Sequence, residues 1–140
     1  MALTAIKVAD ECIAAWNEIK IGHKYRYVIF DMSKDMKEVV VVKKAELTAT
    51  YDDFLDDLPP KDCRYAVYDY TFTAGDHEAE KLVFIVWCPD TAPVRRKMVV
   101  ASTKATVKNA FAGVAMELQA TDDSEIAESE LLKKCLDQTR

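Results

Sequence analysis

Long apolar runs are missing from this chain. The longest, "LVFIVWC" from Leu82 to Cys88, is far short of the roughly 20 residues a membrane-crossing helix needs and reads as a strand. The start offers no apolar leader either. Lys7, Asp10 and Glu11 interrupt "MALTAIKVADEC", so neither a secretory signal nor a membrane anchor is expected there. The four cysteines, Cys12, Cys63, Cys88 and Cys135, include no C-x-x-C pair, and the histidines are only His23 and His77. That spacing matches no structural-zinc pattern, so no metal and no other cofactor is expected, and the thiols read as reduced and mostly buried in a cytosolic protein. An excess of positive charge is also absent. With 19 Lys and Arg against 24 Asp and Glu, the net charge of −5 disfavours a nucleic-acid binder that works through overall charge. No repeat, linker or low-complexity segment divides the 140 residues, so a single domain over 1–140 is expected, with a flexible tip at about 1–6.

What is present is a soluble globular composition, 50% hydrophobic and 31% charged, which excludes a largely disordered chain. In "VADECIAAWNEIK", Val8, Cys12, Trp16 and Ile19 recur at helical spacing and predict a first helix ending before Gly22. "YRYVIFDM" and "EVVVVKK" are β-branched and aromatic, and the polar "DMSKDMKE" between their cores predicts a hairpin. In "TYDDFLDDLPP", Thr50 and Asp53 have capping-box spacing, Tyr51, Phe54, Leu55 and Leu58 mark one face of a short helix, and Pro59 and Pro60 stop it. Two strands follow at 63 to 72 and 81 to 89, joined by a polar loop, "TAGDHEAE". A helix from Pro93 to about Phe111, ended by Gly113, precedes a short strand in "VAMELQA". A last helix starts near 122, where Asp122 and Glu125 have reciprocal capping spacing and Leu131, Leu132, Cys135 and Leu136 form the buried edge. This order predicts an α+β fold, a central mixed sheet sandwiched between helices.

The long helix has two apolar stripes. Val100, Val107, Phe111 and Val114 would pack on the sheet. Val94, Met98, Ala101 and Ala105 recur on the other side, bordered by Arg95, Lys97, Lys104 and Lys108. A solvated helix built of good helix formers and solubilising lysines fits the spacing equally well. Against it, four cations with no acid at i+4 repel one another by a few tenths of a kcal/mol per pair, which an acidic partner would relieve. Ser102 and Thr103 can bond back to the preceding turn and bend the helix, suiting it to an apolar groove.

Catalytic material is poor. Cys63 or Cys88 with His23 or His77 is the best nucleophile and base pairing on offer, but both cysteines lie in or beside apolar strands, where thiols are inert. No catalytic residue is expected. The pairs Asp52/Asp53 and Asp56/Asp57 read as a solvated helix face.

The stretches "DCRYAVYDY", "LVFIVWCPDTAPVRRKM", "ASTKATVKNAFAGV" and "ELQATDDSEI" run in order over nearly the whole chain, and together they resemble the actin-depolymerising factor/cofilin family. The resemblance implies a single ADF-homology, gelsolin-like domain. It implies a non-catalytic, monomeric protein that binds monomeric and filamentous actin, promotes filament disassembly and severing, and resides in the cytoplasm at the actin cytoskeleton. It carries Arg95, Lys97 and Met98, with Lys104 and Lys108, into the site used with both monomer and filament, where Val94 of the apolar strip is expected to enter a cleft beside Met98, and it carries Lys81 and Lys134 into a filament-specific site. Aligning "VAD" with the usual Val-Ser-Asp places Thr4 at the family's phosphorylated tail position and in the first site.

The chain departs from the family pattern in places. Ala105 stands where an acid often follows, and Asn109 and Ala110 interrupt a basic cluster through which the family binds phosphoinositides. Ala79 and Glu80 replace basic loop positions, and Asp137 stands at a place a cation can occupy. Three alternatives stay open: a mainly monomer-sequestering binder with weak severing, a phosphoinositide-binding module using Arg95, Arg96 and Lys97, and an unmodified N-terminal tip. Lys34, Lys37, Lys43 and Lys44 form no continuous basic run, so nuclear entry is not supported.

Overall fold

The computed structural model describes residues 6–139. In chain order it comprises β1 (Lys7–Val8), α1 (Asp10–Lys20), β2 (Tyr27–Met32), β3 (Glu38–Ala45), α2 (Tyr51–Asp57), β4 (Arg64–Ala74), β5 (His77–Trp87), α3 (Val94–Ala110), β6 (Met116–Ala120), α4 (Asp123–Ile126) and α5 (Glu128–Thr139). The strands form one sheet in the order β1-β3-β2-β4-β5-β6. The β2/β3, β2/β4 and β4/β5 pairs are antiparallel, whereas β1/β3 and β5/β6 are parallel, which gives the mixed sheet the sequence predicts.

Alternation along the strands sends side chains into two cores. On one face Tyr65, Val67, Phe84 and Val86 meet Cys12, Trp16 and Ile19 of α1 and Val100 and Val107 of α3. On the other, Ala66, Tyr68, Tyr70, Val83, Ile85 and Trp87 meet Tyr51 and Phe54 of α2, Ile126 of α4 and Leu131 and Cys135 of α5. Every residue from Val83 to Trp87 is buried, because helices cover both faces of β5. The capping box at Thr50 and Asp53 is present in both directions.

Four boundaries differ from the sequence expectation. Val8 does not belong to α1; it pairs with Val39 in β1, and extended backbone at Ala9 starts the helix at Asp10. The stretch expected as a loop between the central strands is paired: Thr71 faces Glu80, Phe72 faces Ala79 and Ala74 faces His77. Only Gly75 and Asp76 remain for the turn, and Gly75 takes φ 68, the left-handed conformation such hairpin turns require. Pro93 is the N-cap of α3, not its first helical residue. The last helix is two pieces, broken at Ala127 (ψ 146). Asp122 Oδ1 accepts from the Glu125 amide at 2.9 Å, but the Glu125 carboxylate turns to Thr121, accepting from its amide and hydroxyl.

Candidate protein-docking site

Parallel neighbours need a crossover, and α3 is the crossover between β5 and β6, so it lies against that pair. Val100, Thr103 and Val107 supply its buried side. Phe111 closes its C-terminal end against Trp16, Phe30 and Phe84, with ring centroids 4.9–6.2 Å apart. Tyr65 of β4 fixes the middle by donating its hydroxyl hydrogen to the Val100 carbonyl at 2.6 Å. Thr103, expected from sequence to bend the helix, is one of the anchoring residues, 4% exposed. Ser102 does bond back, to the Val99 carbonyl at 3.1 Å.

A helix turns about 100° per residue, so the second stripe falls opposite the anchored one. Val94 is 67% and Met98 66% exposed, and Ala101 and Ala105 are exposed too. Such large apolar side chains left in water are the informative exceptions on a folded surface.

The basic residues around this strip fall into three groups. Arg95 is exposed and has no hydrogen bond or ion pair among the described residues. Lys97 is half-buried and donates to the Asp90 main-chain carbonyl at 3.2 Å, with no carboxylate partner among the described residues. Lys104 and Lys108 are different, because both reach Glu117 of β6, at 2.9 and 3.1 Å, and Lys104 also bonds Gln119 at 3.0 Å. The expectation of mutually repelling, unneutralised lysines on this helix is therefore corrected: the relief comes from the neighbouring strand. Burial pushes the Glu117 carboxyl up, but the hydrogen bonds and charges of Lys104 and Lys108 outweigh it and hold the group below its ordinary range.

Arg96, which the phosphoinositide alternative groups with Arg95 and Lys97, is engaged by carboxylates of its own chain. Its side chain is 14% exposed. It bonds Asp31 through Nη2 and Asp62 Oδ1 through Nε at 2.8 Å, while Arg64 bonds the same two carboxylates at 3.2 and 3.1 Å. The four charges balance and lock the start of α3 to β2 and β4. Burial opposes ionisation of Asp62, yet its bonds to Arg96, to the Cys63 amide and to Arg64 keep its carboxyl below the usual value.

Lys81 and Lys134 lie on a different part of the surface. Lys81 is half-buried in β5 opposite Tyr70, close enough to α5 for its charge to act on Cys135, and Lys134 is the exposed neighbour of that cysteine. Ala79 packs against the core and Glu80 lies beside His23. Thr4 falls outside the described residues, as does all of the expected tip before Ile6, which itself packs against the core.

The cysteines lie where an inert role requires. Cys12, Cys63 and Cys135 are buried and Cys88 is half-buried. Burial pushes the Cys63 thiol up to about 12, with the neighbouring Cys88, 3.1 Å away, adding to it. No cysteine bonds a histidine among the described residues, so the nucleophile and base pairing does not form.

A mixed sheet between two helical layers, with one helix presenting an apolar strip beside cations that have no carboxylate partner among the described residues, has the form of an α+β protein-docking module. Residues 5–136 match the cofilin/tropomyosin-type actin-binding protein family, and the chain belongs to that family. It is 46% identical over 134 residues to the cofilin of Schizosaccharomyces pombe, covering 96% of this chain and 97% of that one. It is 44% identical over 135 residues to actophorin of Acanthamoeba castellanii, covering 94% and 98%. Among solved structures, a cofilin from Streptomyces griseoflavus superposes with a TM-score of 0.86 at 38% identity, covering 92% of this chain and 96% of that one. The expected fold and family are thereby established, and the expectation of a binding protein instead of an enzyme agrees with them. No helix among the described residues is long and apolar enough to cross a membrane.

Proposed function

We propose that this protein binds actin, as monomer and as filament, and promotes filament disassembly and severing, with the exposed side of α3 as its principal contact. The observation that carries the reading is the solvent exposure of Val94 and Met98 beside Arg95 and Lys97, neither of which has a carboxylate partner among the described residues. An apolar helix face enters a hydrophobic cleft, and rim cations select a partner whose cleft is edged by carboxylates. Preference for one actin conformation follows from whichever exposes that cleft better, since a ligand shifts a population only by differential affinity.

Lys104 and Lys108 belong to this surface but contribute less, because each must first leave Glu117. Lys81 and Lys134 serve a second, filament-specific contact. Thr4 in the N-terminal tail is the candidate phosphorylation position; about −1.5 to −2 added charges there would repel an acidic partner. The protein works as a monomer in the cytoplasm, at the actin cytoskeleton. Phosphoinositide headgroups compete for Arg95 and Lys97, and the engagement of Arg96 with Asp31 and Asp62 makes a dedicated lipid module the weaker reading.

The test is the double variant Arg95→Ala with Lys97→Ala, assayed by co-sedimentation with filaments and by monomer binding. A large loss in both assays, with unchanged unfolding, is expected. Wild-type affinity in that variant would overturn the assignment.

A further inference from the structure

Away from α3, three side chains from separate segments meet. His23 follows α1, Asp69 lies in β4 and Glu80 in β5. In the β4/β5 register Asp69 faces Leu82 and Thr71 faces Glu80, so Asp69 and Glu80 are diagonal neighbours on one face of the sheet. His23 Nδ1 lies 3.0 Å from Asp69 Oδ2 and 3.3 Å from Glu80 Oε1, and the three donor atoms fall within 4.8 Å of one another. His23 adopts φ 46, a region few non-glycine residues occupy.

A second observation points the same way. Asp69 is 1% exposed, and its Oδ1 is, among the described residues, the one buried side-chain oxygen or nitrogen with no hydrogen-bond partner. A carboxylate so buried and only half satisfied is costly unless something else shares its charge. The adjacent Arg26 does not bond it. That guanidinium donates to the main-chain carbonyls of Asp69 and Leu47.

We propose that His23, Asp69 and Glu80 form a binding site for a divalent transition-metal ion of the zinc type. Ligands at about 2.0–2.2 Å from a shared tetrahedral or octahedral ion are separated by roughly 3 Å, which the two contacts of His23 already match. A neutral imidazole with two carboxylates offers a charge of −2 to a dication. The nitrogen donor selects a borderline metal over magnesium or calcium, which take all-oxygen shells. His23 and Glu80 side chains are 49% and 44% exposed, so the ion has an entry path and water completes its shell. Binding would set a dication beside the half-satisfied Asp69 carboxylate and tie the loop after α1 to the β4/β5 hairpin. No linear spacing of His and Cys reveals such a site, because its donors come from three segments and only one of them is a histidine. The proposal is independent of the actin reading.

The experiment is calorimetric titration of chelator-stripped protein with zinc chloride, for wild type, His23→Ala and Glu80→Gln, each checked for native circular dichroism. Both variants change partly exposed side chains and leave buried Asp69 in place. One equivalent bound by wild type is expected, weakened by at least about tenfold in each variant, since even outer-shell partners of a metal are worth about 10–100-fold. The cobalt(II) form is expected to lack the intense sulfur-to-metal charge-transfer absorption. Absence of binding, affinity unchanged in both variants, or a thiolate spectrum placing the metal at Cys63 and Cys88 would each overturn the proposal.

Discussion

Lys104 places its Nζ 2.9 Å from Glu117 Oε2, joining the middle of α3 to the strand that follows it. With Lys108 on the other oxygen, the pairing keeps the folded Glu117 carboxyl below its ordinary value of 4.5. A group depressed in the folded state contributes stability that is fully present above its unfolded pKa and is lost as pH falls through the folded one. Glu117→Gln is therefore expected to cost about 1 kcal/mol at pH 7, near the top of the range for partly exposed pairs. The deficit should vanish as pH drops below the carboxylate range. Urea unfolding of both proteins at several pH values checks this; a deficit of the same size down to the most acidic condition would remove the pairing from the account.

Adjacent arginines are expected to give opposite phenotypes. Arg95 has no partner among the described residues, so Arg95→Ala should lower actin affinity and leave unfolding within about 0.5 kcal/mol of wild type. Arg96 holds Asp31 and Asp62, and its removal leaves two half-buried carboxylates with Arg64 alone. Arg96→Ala should destabilise by about 2–3 kcal/mol, somewhat under the cost of breaking a fully buried pair. Denaturation midpoints and co-sedimentation, measured together, separate the two roles.

At Met98 the stability and binding effects should also part. The side chain is 66% exposed, so truncation makes no cavity, and Met98→Ala should shift the folding free energy by under about 0.5 kcal/mol. A central apolar anchor of an interface is worth about 2–4 kcal/mol, or roughly a 30- to 1,000-fold loss of actin affinity. An affinity within threefold of wild type would move the anchor elsewhere on α3.

The thiols provide a control on the non-catalytic reading. Burial pushes Cys12 as well as Cys63 up to about 12, so at neutral pH only about 1 in 10⁵ of either is the reactive thiolate. An aromatic disulfide reagent should modify the folded protein slowly and the urea-unfolded protein fast. Rapid stoichiometric labelling of native protein would reopen the case for a reactive cysteine.

Much of this structure was legible because local rules and tertiary packing agree. The Thr50/Asp53 capping box, the Pro59/Pro60 stop and the all-apolar centre of β5 each carry their own physical signature. The β4/β5 turn is tighter than its polar sequence suggests because Glu78 and Glu80, loop-like in composition, pair in the ladder, and Gly75-Asp76 is itself a two-residue hairpin signal. The fates of the α3 cations were hidden for a different reason. Whether Lys104 is free depends on Glu117 lying beneath it, which needs the β5–α3–β6 crossover. Alternation in "MELQA" does send Glu117 away from Met116 and Leu118, but which helix lies over it is a property of the fold. Arg96 differs from Arg95 only by a 100° turn, and the acids that capture it, Asp31 and Asp62, lie far away in sequence.

Lys81 and Lys134 are expected to act on filaments alone. Lys81 leaves β5 near Cys135 of α5, and Lys134 adjoins that cysteine on the solvent side, so the two cations sit on elements that pack together. Neither is on α3, and loss of both leaves the Met98 surface intact. Lys81→Ala with Lys134→Ala should therefore reduce co-sedimentation with filaments by about tenfold, taking roughly 0.7 kcal/mol for each rim cation, and leave monomer binding within a factor of two. Raising the salt concentration should shrink the wild-type advantage, since exposed charges are screened over about 8–10 Å at physiological ionic strength. Equal losses toward monomer and filament would place both lysines in a single site shared with α3.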